Sequence, residues 1–246
     1  LSPVKEPFKK LVHQGMILGA NGIKMGKRFP EFVVNPSDVV RDYGADTLRL
    51  YEMFMGDFEK AAPWNSNSIK GCKRFLERVE GLMYMAKGEG VTKKLETSFH
   101  KTIKKVTGDI DTMKFNTAIA SMMALLNEIY DAKSLTVDEL KIFVKLLAPF
   151  APHLAEELWH RLGEETLVSL EAWPTYDEAK TVDNTVTIAV AVMGKTKDTV
   201  QIPADADEDT AFAAAMASEK VANLVAGKTI VKKIYVKNKI FNIIAK

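Results

Sequence analysis

Ile69-Lys70-Gly71-Cys72-Lys73-Arg74-Phe75-Leu76-Glu77-Arg78-Val79 carries two patterns in one stretch. Ile69, Cys72, Phe75, Leu76 and Val79 recur at steps of three and four, and Leu82, Met83 and Ala86 extend the row. That is the period of a helix with one buried face. Lys70, Lys73, Arg74 and Arg78 recur at the same steps on the adjacent stripe. The spacing predicts a helix over 66–87 with an apolar side and a basic ridge about two turns long. A row of cations on a core helix suits nucleic-acid phosphates, and with Glu77 and Glu80 interspersed it equally suits a plain solvated face.

The same period continues outward. Gly88-Glu89-Gly90 stops the first helix, Thr92 is placed to cap the next, and Leu95, Phe99, Thr102, Ile103, Val106 and Ile110 form its stripe. A further helix is expected over 116–133. Thr136 followed by Glu139 reads as a capping box opening a helix with Leu140, Phe143, Val144 and Leu147 inward. Pro149 and Pro152 interrupt it, and a last helix runs to Leu162 with Leu154, Leu158 and Trp159 inward. Helices joined by short connections imply an antiparallel bundle.

On the amino-terminal side, Gly15, Gly19, Gly22, Gly26, Pro30 and Pro36 break 1–36 into short strands and loops. Ser37 is placed to cap a short helix ended by Gly44, and a second carries Leu48, Leu50, Tyr51, Phe54 and Met55. On the other side, 164–183 holds six acids and one lysine and reads as an exposed connector, with Leu167, Leu170 and Trp173 placed to dock on the bundle. From residue 184 the period becomes two. Val186, Ile188, Val190 and Val192 form one strand face, a turn falls at Gly194, and Thr199 to Pro203 form the partner strand. An Ala-rich helix is expected over 205–226, closed by Gly227, then strands over 230–236 and 240–244. The expected fold is mainly α: a helix bundle preceded by a loop region and followed by a small α+β domain. The expected division is 1–60, 61–173, a linker at 174–183, and 184–246.

Composition narrows the function. The chain has 246 residues, 47% apolar and 27% charged, which is ordinary for globular proteins. No apolar run approaches the ~18 residues that span a bilayer. One cysteine, Cys72, excludes an internal disulfide and a Cys-based zinc site, and four scattered histidines argue against a His-rich metal site. Leu1-Ser2-Pro3 lacks an initiator Met and a signal-peptide pattern, so a piece of a longer cytoplasmic protein is expected. The net charge of +2 sums opposed patches: eleven Lys/Arg against six Asp/Glu from Asn67 to Lys114, and seven lysines with no acid from Lys220 onward. Basic surfaces in two regions suggest one large polyanion contacted twice. A terminal strand pair guarded by lysines against edge aggregation is the plainer reading of the second.

Lys24-Met25-Gly26-Lys27-Arg28 places three cations around a glycine that permits close backbone approach. Such a loop suits a polyphosphate, where ammonium groups neutralise charge developing as a bond to phosphorus breaks. It is not a P-loop, and a solvated basic loop is the plainer reading. His153 and His160 near Glu156 and Glu157 lack a converging ligand set, and His153 reads as a hydrogen-bonding residue at a helix start. Asp109, Asp111 and Glu128 read as surface charge.

Taken in order, several of these segments resemble the class I aminoacyl-tRNA synthetases. Residues 24–28 are similar to the family's KMSKS loop. Val33-Val34-Asn35-Pro36, then Tyr43-Gly44-Ala45-Asp46-Thr47-Leu48-Arg49-Leu50, follow in the family's order. Leu147-Ala148-Pro149-Phe150-Ala151-Pro152-His153, continuing to Glu156-Glu157-Leu158-Trp159, looks like its tRNA-binding helical domain. Trp173-Pro174, the strand 186–192 and the ending 228–244 look like the bacterial leucine-specific members. The resemblance implies activation of leucine with ATP, with Mg2+ accompanying the ATP, and transfer to tRNA(Leu). It assigns Lys27 to ATP binding and, with Lys24, to stabilising the pyrophosphate leaving group. Gly26 and Arg28 stand where the family has serines. It implies that the nucleotide-binding fold lies before Leu1, so that this chain alone holds no cofactor, activates no leucine, and binds tRNA as a monomer. The tRNA contacts are expected at Lys70, Lys73, Arg74 and Arg78 and at Lys228, Lys232, Lys233, Lys237 and Lys239. A free-standing tRNA-binding module, or the matching part of an isoleucine or valine enzyme, are the alternatives. The small α+β domain argues against the latter.

Overall fold

The computed structural model describes residues 5–182 and 185–246. The chain start Leu1-Ser2-Pro3 and residues Asp183 and Asn184, where the expected linker meets the terminal domain, lie outside the described residues. The chain forms two compact units, Leu1–Thr181 and Val182–Lys246.

In the first unit, β1 (Ile17–Leu18) pairs in parallel with β2 (Ala62–Pro63). Between them lie α1 (Pro36–Tyr43) and α2 (Ala45–Phe54). Asn35, not Ser37, caps α1: its side chain accepts the N–H of Ser37, and Pro36 fills the first helical position. Gly44 separates the helices at φ 95, a conformation that disfavours a side chain. Then follow α3 (Ile69–Gly81), α4 (Glu96–Asp111), α5 (Phe115–Ala132), α6 (Val137–Leu147) and α7 (Pro152–Arg161). The helix expected over 66–87 is therefore shorter, and Leu82–Tyr84 continue it as one turn of 3-10 helix. Ile69, Cys72, Val79, Phe99, Ile103, Ile119, Leu140, Phe143 and Leu158 form one buried cluster, so the periodic residues do face a common core.

The capping box on α6 is present, and it reaches further than its own helix. Glu139 is fully buried. One oxygen accepts the Thr136 N–H at 2.8 Å; the other accepts the Thr92 N–H at 2.7 Å and the Thr92 hydroxyl at 2.8 Å. Thr92 thus gives its hydroxyl to Glu139 instead of capping α4, whose first residue follows Leu95.

The acidic stretch after α7 is a strap lying on the bundle. Val168 is buried, while Leu167 and Leu170 are exposed, the reverse of the expected docking. Glu156 on α7 fixes the strap by accepting the N–H groups of Val168 and Ser169 at 2.8 and 3.1 Å. Farther along, the Trp173 indole donates to Thr107 at 2.8 Å, and the Asp177 N–H donates to His100 Nδ1 at 3.0 Å. Lys104 pairs with Glu178, and Lys180 with Glu96.

The second unit comprises β3 (Thr185–Val192), β4 (Lys195–Pro203), α8 (Glu208–Ala217), α9 (Glu219–Val225), β5 (Ile230–Val236) and β6 (Ile240–Ala245). The sheet order is β4-β3-β6-β5, antiparallel except for the β3–β6 pair. Met193 and Gly194 make the tight turn, both at positive φ. The helix expected over 205–226 is broken at Ser218, whose hydroxyl accepts the Val221 N–H and restarts the chain as α9. Ile188, Val190, Ile202, Ala211, Ala215, Val221, Phe241 and Ile243 form its core.

Candidate nucleic-acid interface and phosphate loop

The lysine loop is rooted by a close approach of backbones. A Cβ on Gly15 would lie 1.9 Å from the Lys60 carbonyl oxygen, so only glycine lets this strand meet residues 58–62, where its N–H donates to Phe58 at 2.7 Å. After β1 the chain reverses, with the Gly19 N–H donating to Ile23 at 2.9 Å. Met25 then packs inward, and the Val34 N–H points at its sulfur at 3.4 Å. The Phe29 N–H donates to the Gly26 carbonyl at 3.1 Å, closing a turn whose two central residues are Lys27 and Arg28. Lys24, Lys27 and Arg28 are all exposed, and Arg28 stacks on Phe29 at 5.5 Å. None of the three pairs with a carboxylate among the described residues. Gly26 itself does not need to be glycine: it is not at positive φ, and a Cβ there meets nothing within 4 Å.

α2 joins this region to the bundle. α7 begins with Pro152, which has no N–H, after Ala151, which has no acceptor to cap it. Asp46, buried at the start of α2, does the capping from outside: its carboxylate accepts from His153 N at 3.4 Å and Leu154 N at 2.7 Å. His153 Nδ1 lies 2.8 Å from the same carboxylate. One turn further, Arg49 donates to the Pro149 carbonyl at 3.2 Å. An acid on the positive helix end and a cation on the carbonyl side match the helix dipoles. The Asp46–Arg49 turn and the Pro149–His153 corner therefore recognise each other.

The basic ridge on α3 divides. Lys70 and Arg74 are exposed with no partner among the described residues, whereas Lys73 sits 5.9 Å from the Tyr43 ring centre. Arg78 turns to α5, donating to Asn127 at 2.8 Å and lying 4.6 Å over Tyr130, whose hydroxyl donates to the Arg78 carbonyl. It is a bracket between helices. On α4, Lys105 is held by the carboxylate of Asp109 at 2.6 Å, and Asp109 also accepts from the Thr117 hydroxyl at 2.6 Å. Asp109 is buried, so it is not the surface charge expected.

In the second unit, Lys232 and Lys239 are exposed and have no side-chain partner among the described residues. Lys233 lies 3.5 Å over the Phe212 ring, Lys228 donates to the Leu224 carbonyl at the end of α9, and Lys237 pairs with Asp205 at 3.4 Å. Lys195 and Lys197, beside the β3–β4 turn, are exposed without a partner among the described residues. Sequence reasoning misses them, because two lysines in an alternating strand carry no pattern. Among the described residues no group of three or more His, Cys, Asp or Glu is arranged to hold a metal ion, and no helix is long and apolar enough to cross a membrane.

These features coincide with two family models. Residues 3–64 match the tRNA synthetases class I (I, L, M and V), and residues 92–212 match the anticodon-binding domain of tRNA ligase. The chain is thus similar to the class I tRNA synthetases over its first quarter and to their anticodon-binding domain over nearly half its length. Two relatives that match nearly the whole of this chain are leucine–tRNA ligases: it is 49% identical over 99% of its length to the one of Alkaliphilus oremlandii, and 48% identical over 98% to that of Bdellovibrio bacteriovorus. The chain spans about 30% of the length of these curated relatives. Among solved structures, the leucyl enzyme of Agrobacterium radiobacter K84, in ternary complex with tRNA and LeuAMS, matches 99% of this chain and 34% of its own at a TM-score of 0.65 and 29% identity.

Proposed function

We propose that this chain is the tRNA-binding portion of a leucine–tRNA ligase and supplies the lysine loop used in leucine activation. The observation that carries this reading is the 49% identity to a leucine–tRNA ligase along nearly the whole chain, loop, bundle and terminal unit together. In this reading residues 1–60 close the catalytic domain, 61–173 form the tRNA-binding bundle, 174–183 link it onward, and 184–246 form a second tRNA-binding domain. The protein acts as a cytoplasmic monomer.

ATP, accompanied by Mg2+, supplies the adenylyl group for activating leucine. Lys27 and Lys24 suit a polyphosphate because their ammonium groups are exposed and unengaged by carboxylates among the described residues. Their role is to bind the phosphates and offset the charge that gathers on departing pyrophosphate. Lys70 and Arg74 of α3, and Lys232 and Lys239 of the second unit, are free to meet phosphates. Lys73, Arg78, Lys228, Lys233 and Lys237 meet RNA only by giving up or sharing an interaction within the protein. In this reading the exposed cations address phosphates, so that shape and phosphate contacts dominate.

Filter-binding competition tests the reading. The chain should retain tRNA(Leu) against an excess of other tRNAs and should form no leucyl-adenylate by itself. Equal retention of every tRNA would remove the leucine assignment; no retention of any would remove the RNA assignment.

A further inference from the structure

A cavity of about 540 Å³ opens on the first unit between α4, α5 and the end of the acidic strap, lined by three lysines (Lys101, Lys104 and Lys105), by Ser121 and by the carboxylate of Asp109, with Gly108 and Thr181 at its margin. Its wall is open at Gly108, where a Cβ would have nothing within 4 Å. Two ion pairs at its edge differ from each other. Lys105 is committed to Asp109, whose side chain is 7% exposed and further held by Thr117. Lys104 is paired with Glu178, whose side chain is 67% exposed and sits on the strap. A surface pair of that kind is screened by water and salt and contributes little, so an external anion competes for the lysine on even terms. The Glu178 carboxylate also raises the Lys104 pKa, as a phosphate oxygen would.

We propose that this cavity binds a backbone phosphate of RNA through Lys104, Lys101 and the Ser121 hydroxyl, and that Glu178 is an internal counterion which the phosphate displaces, lifting the strap from α4. The inference rests on the proposed tRNA-binding function and adds a site to it that the helix pattern of α3 does not contain. The chemistry requires only exchange of one anion for another on a fixed ammonium group. Glu178 keeps Lys104 paired without RNA, and an incoming phosphate takes its place on the same ammonium group.

The test measures tRNA(Leu) binding to the whole chain and to three variants. Glu178→Gln should tighten binding about two- to fivefold, the range expected from removing one exposed competing pair. Lys104→Ala should weaken it by at least as much. Glu165→Gln, an exposed acid elsewhere on the unit, should leave it unchanged. Strap movement has its own signal. Trp64 and Trp159 are 7% and 3% exposed and Trp173 is 36% exposed, so acrylamide quenching reports chiefly on Trp173. Quenching should rise in free Glu178→Gln and when the unsubstituted chain binds tRNA. Normal tRNA binding with no response to Glu178→Gln or Lys104→Ala, or an equal gain from Glu165→Gln, overturns this inference and leaves the general function standing. Unchanged Trp173 quenching overturns the strap movement. No tRNA binding by the unsubstituted chain overturns both.

Discussion

Asp46 accepts the backbone N–H of Leu154 at 2.7 Å across 108 positions of sequence, and so caps a helix on which it does not lie. The donors are obligatory: His153 and Leu154 occupy the first turn of α7, where no earlier carbonyl or acceptor is available. Removing the side-chain acceptor at a helix start costs about 0.5–2 kcal/mol. Asp46→Ala should therefore lower the stability of the first unit by roughly 1–2 kcal/mol, read as a fall in the urea midpoint at unchanged slope. Asp46→Asn keeps an acceptor and should recover part of the loss. A shift below about 0.5 kcal/mol for Asp46→Ala would show that water caps α7 equally well.

Glu139 makes a second long-range tie, from α6 to Thr92. Its two oxygens collect three donors in a fully buried place. Removing them by Glu139→Ala strands three polar groups at once, and the expected loss is about 3–5 kcal/mol. Glu139→Gln preserves the shape but turns an NH2 toward N–H donors, so it should rescue poorly. Thermal unfolding of both variants decides this: near-complete rescue by Gln would mean that one oxygen suffices.

These two ties mark the limit of what the sequence makes legible. Local signals are readable because they act within a turn: the Thr136–Glu139 box, the glycine stops at Gly44 and Gly227, and the alternation of β3. The core of the bundle is readable because burial imposes a period. Asp46 and Arg78 look like ordinary charges in the sequence, since their partners are contributed by other elements and no spacing rule links them; Asp109 has Lys105 one turn back on its own helix, but its burial under Thr117 of α5 leaves no local sign. The strap misleads for a related reason. Leu167 and Leu170 have the look of anchors, yet 164–181 is held through Glu156, Trp173, Glu178 and Lys180, by directional bonds that hydrophobicity does not predict. The break at Ser218 is hidden because alanine on both sides favours helix whether or not it continues.

The loop offers a prediction about function separate from stability. Lys27 is exposed and unpaired among the described residues, so Lys27→Ala should change stability by less than about 0.5 kcal/mol. In the full-length enzyme it should slow pyrophosphate exchange far more than it weakens tRNA binding. Gly26→Ser should be neutral to folding, since its Cβ meets nothing within 4 Å and its φ is not positive. Equal losses of exchange and tRNA binding in Lys27→Ala would place the lysine on RNA and not on the leaving phosphates.

Cys72 gives a pH dependence with a definite sign. Burial among apolar side chains pushes its thiol up to about 11 from an ordinary value of 9.0. The unfolded chain loses this proton first as pH rises. The contribution to stability is thus complete below pH 9 and is lost as pH climbs toward 11, at about 1.4 kcal/mol per unit. At about pH 8, below both values, the native thiol should resist a disulfide reagent and react only at the rate of unfolding. Fast reaction in native buffer would show that the α3 face opens.

The two halves of the α3 ridge separate binding from folding. Lys70 and Arg74 are exposed with no partner among the described residues, so removing either should lower the salt slope of tRNA binding by about 0.7–0.9, the share of one neutralised phosphate. Lys70→Ala and Arg74→Ala should therefore weaken binding severalfold at low salt with little change in melting. Arg78 is engaged with Asn127 and Tyr130, and its removal takes away a hydrogen bond and a cation–π interaction. Arg78→Ala should destabilise the first unit by about 1–2 kcal/mol while leaving the salt slope nearly unchanged. Binding measured from about 50 to 300 mM salt, alongside melting curves, distinguishes them. A slope for Arg78→Ala that falls as far as that of Arg74→Ala would mean that Arg78 leaves Tyr130 when RNA arrives, and that the whole ridge acts as one surface.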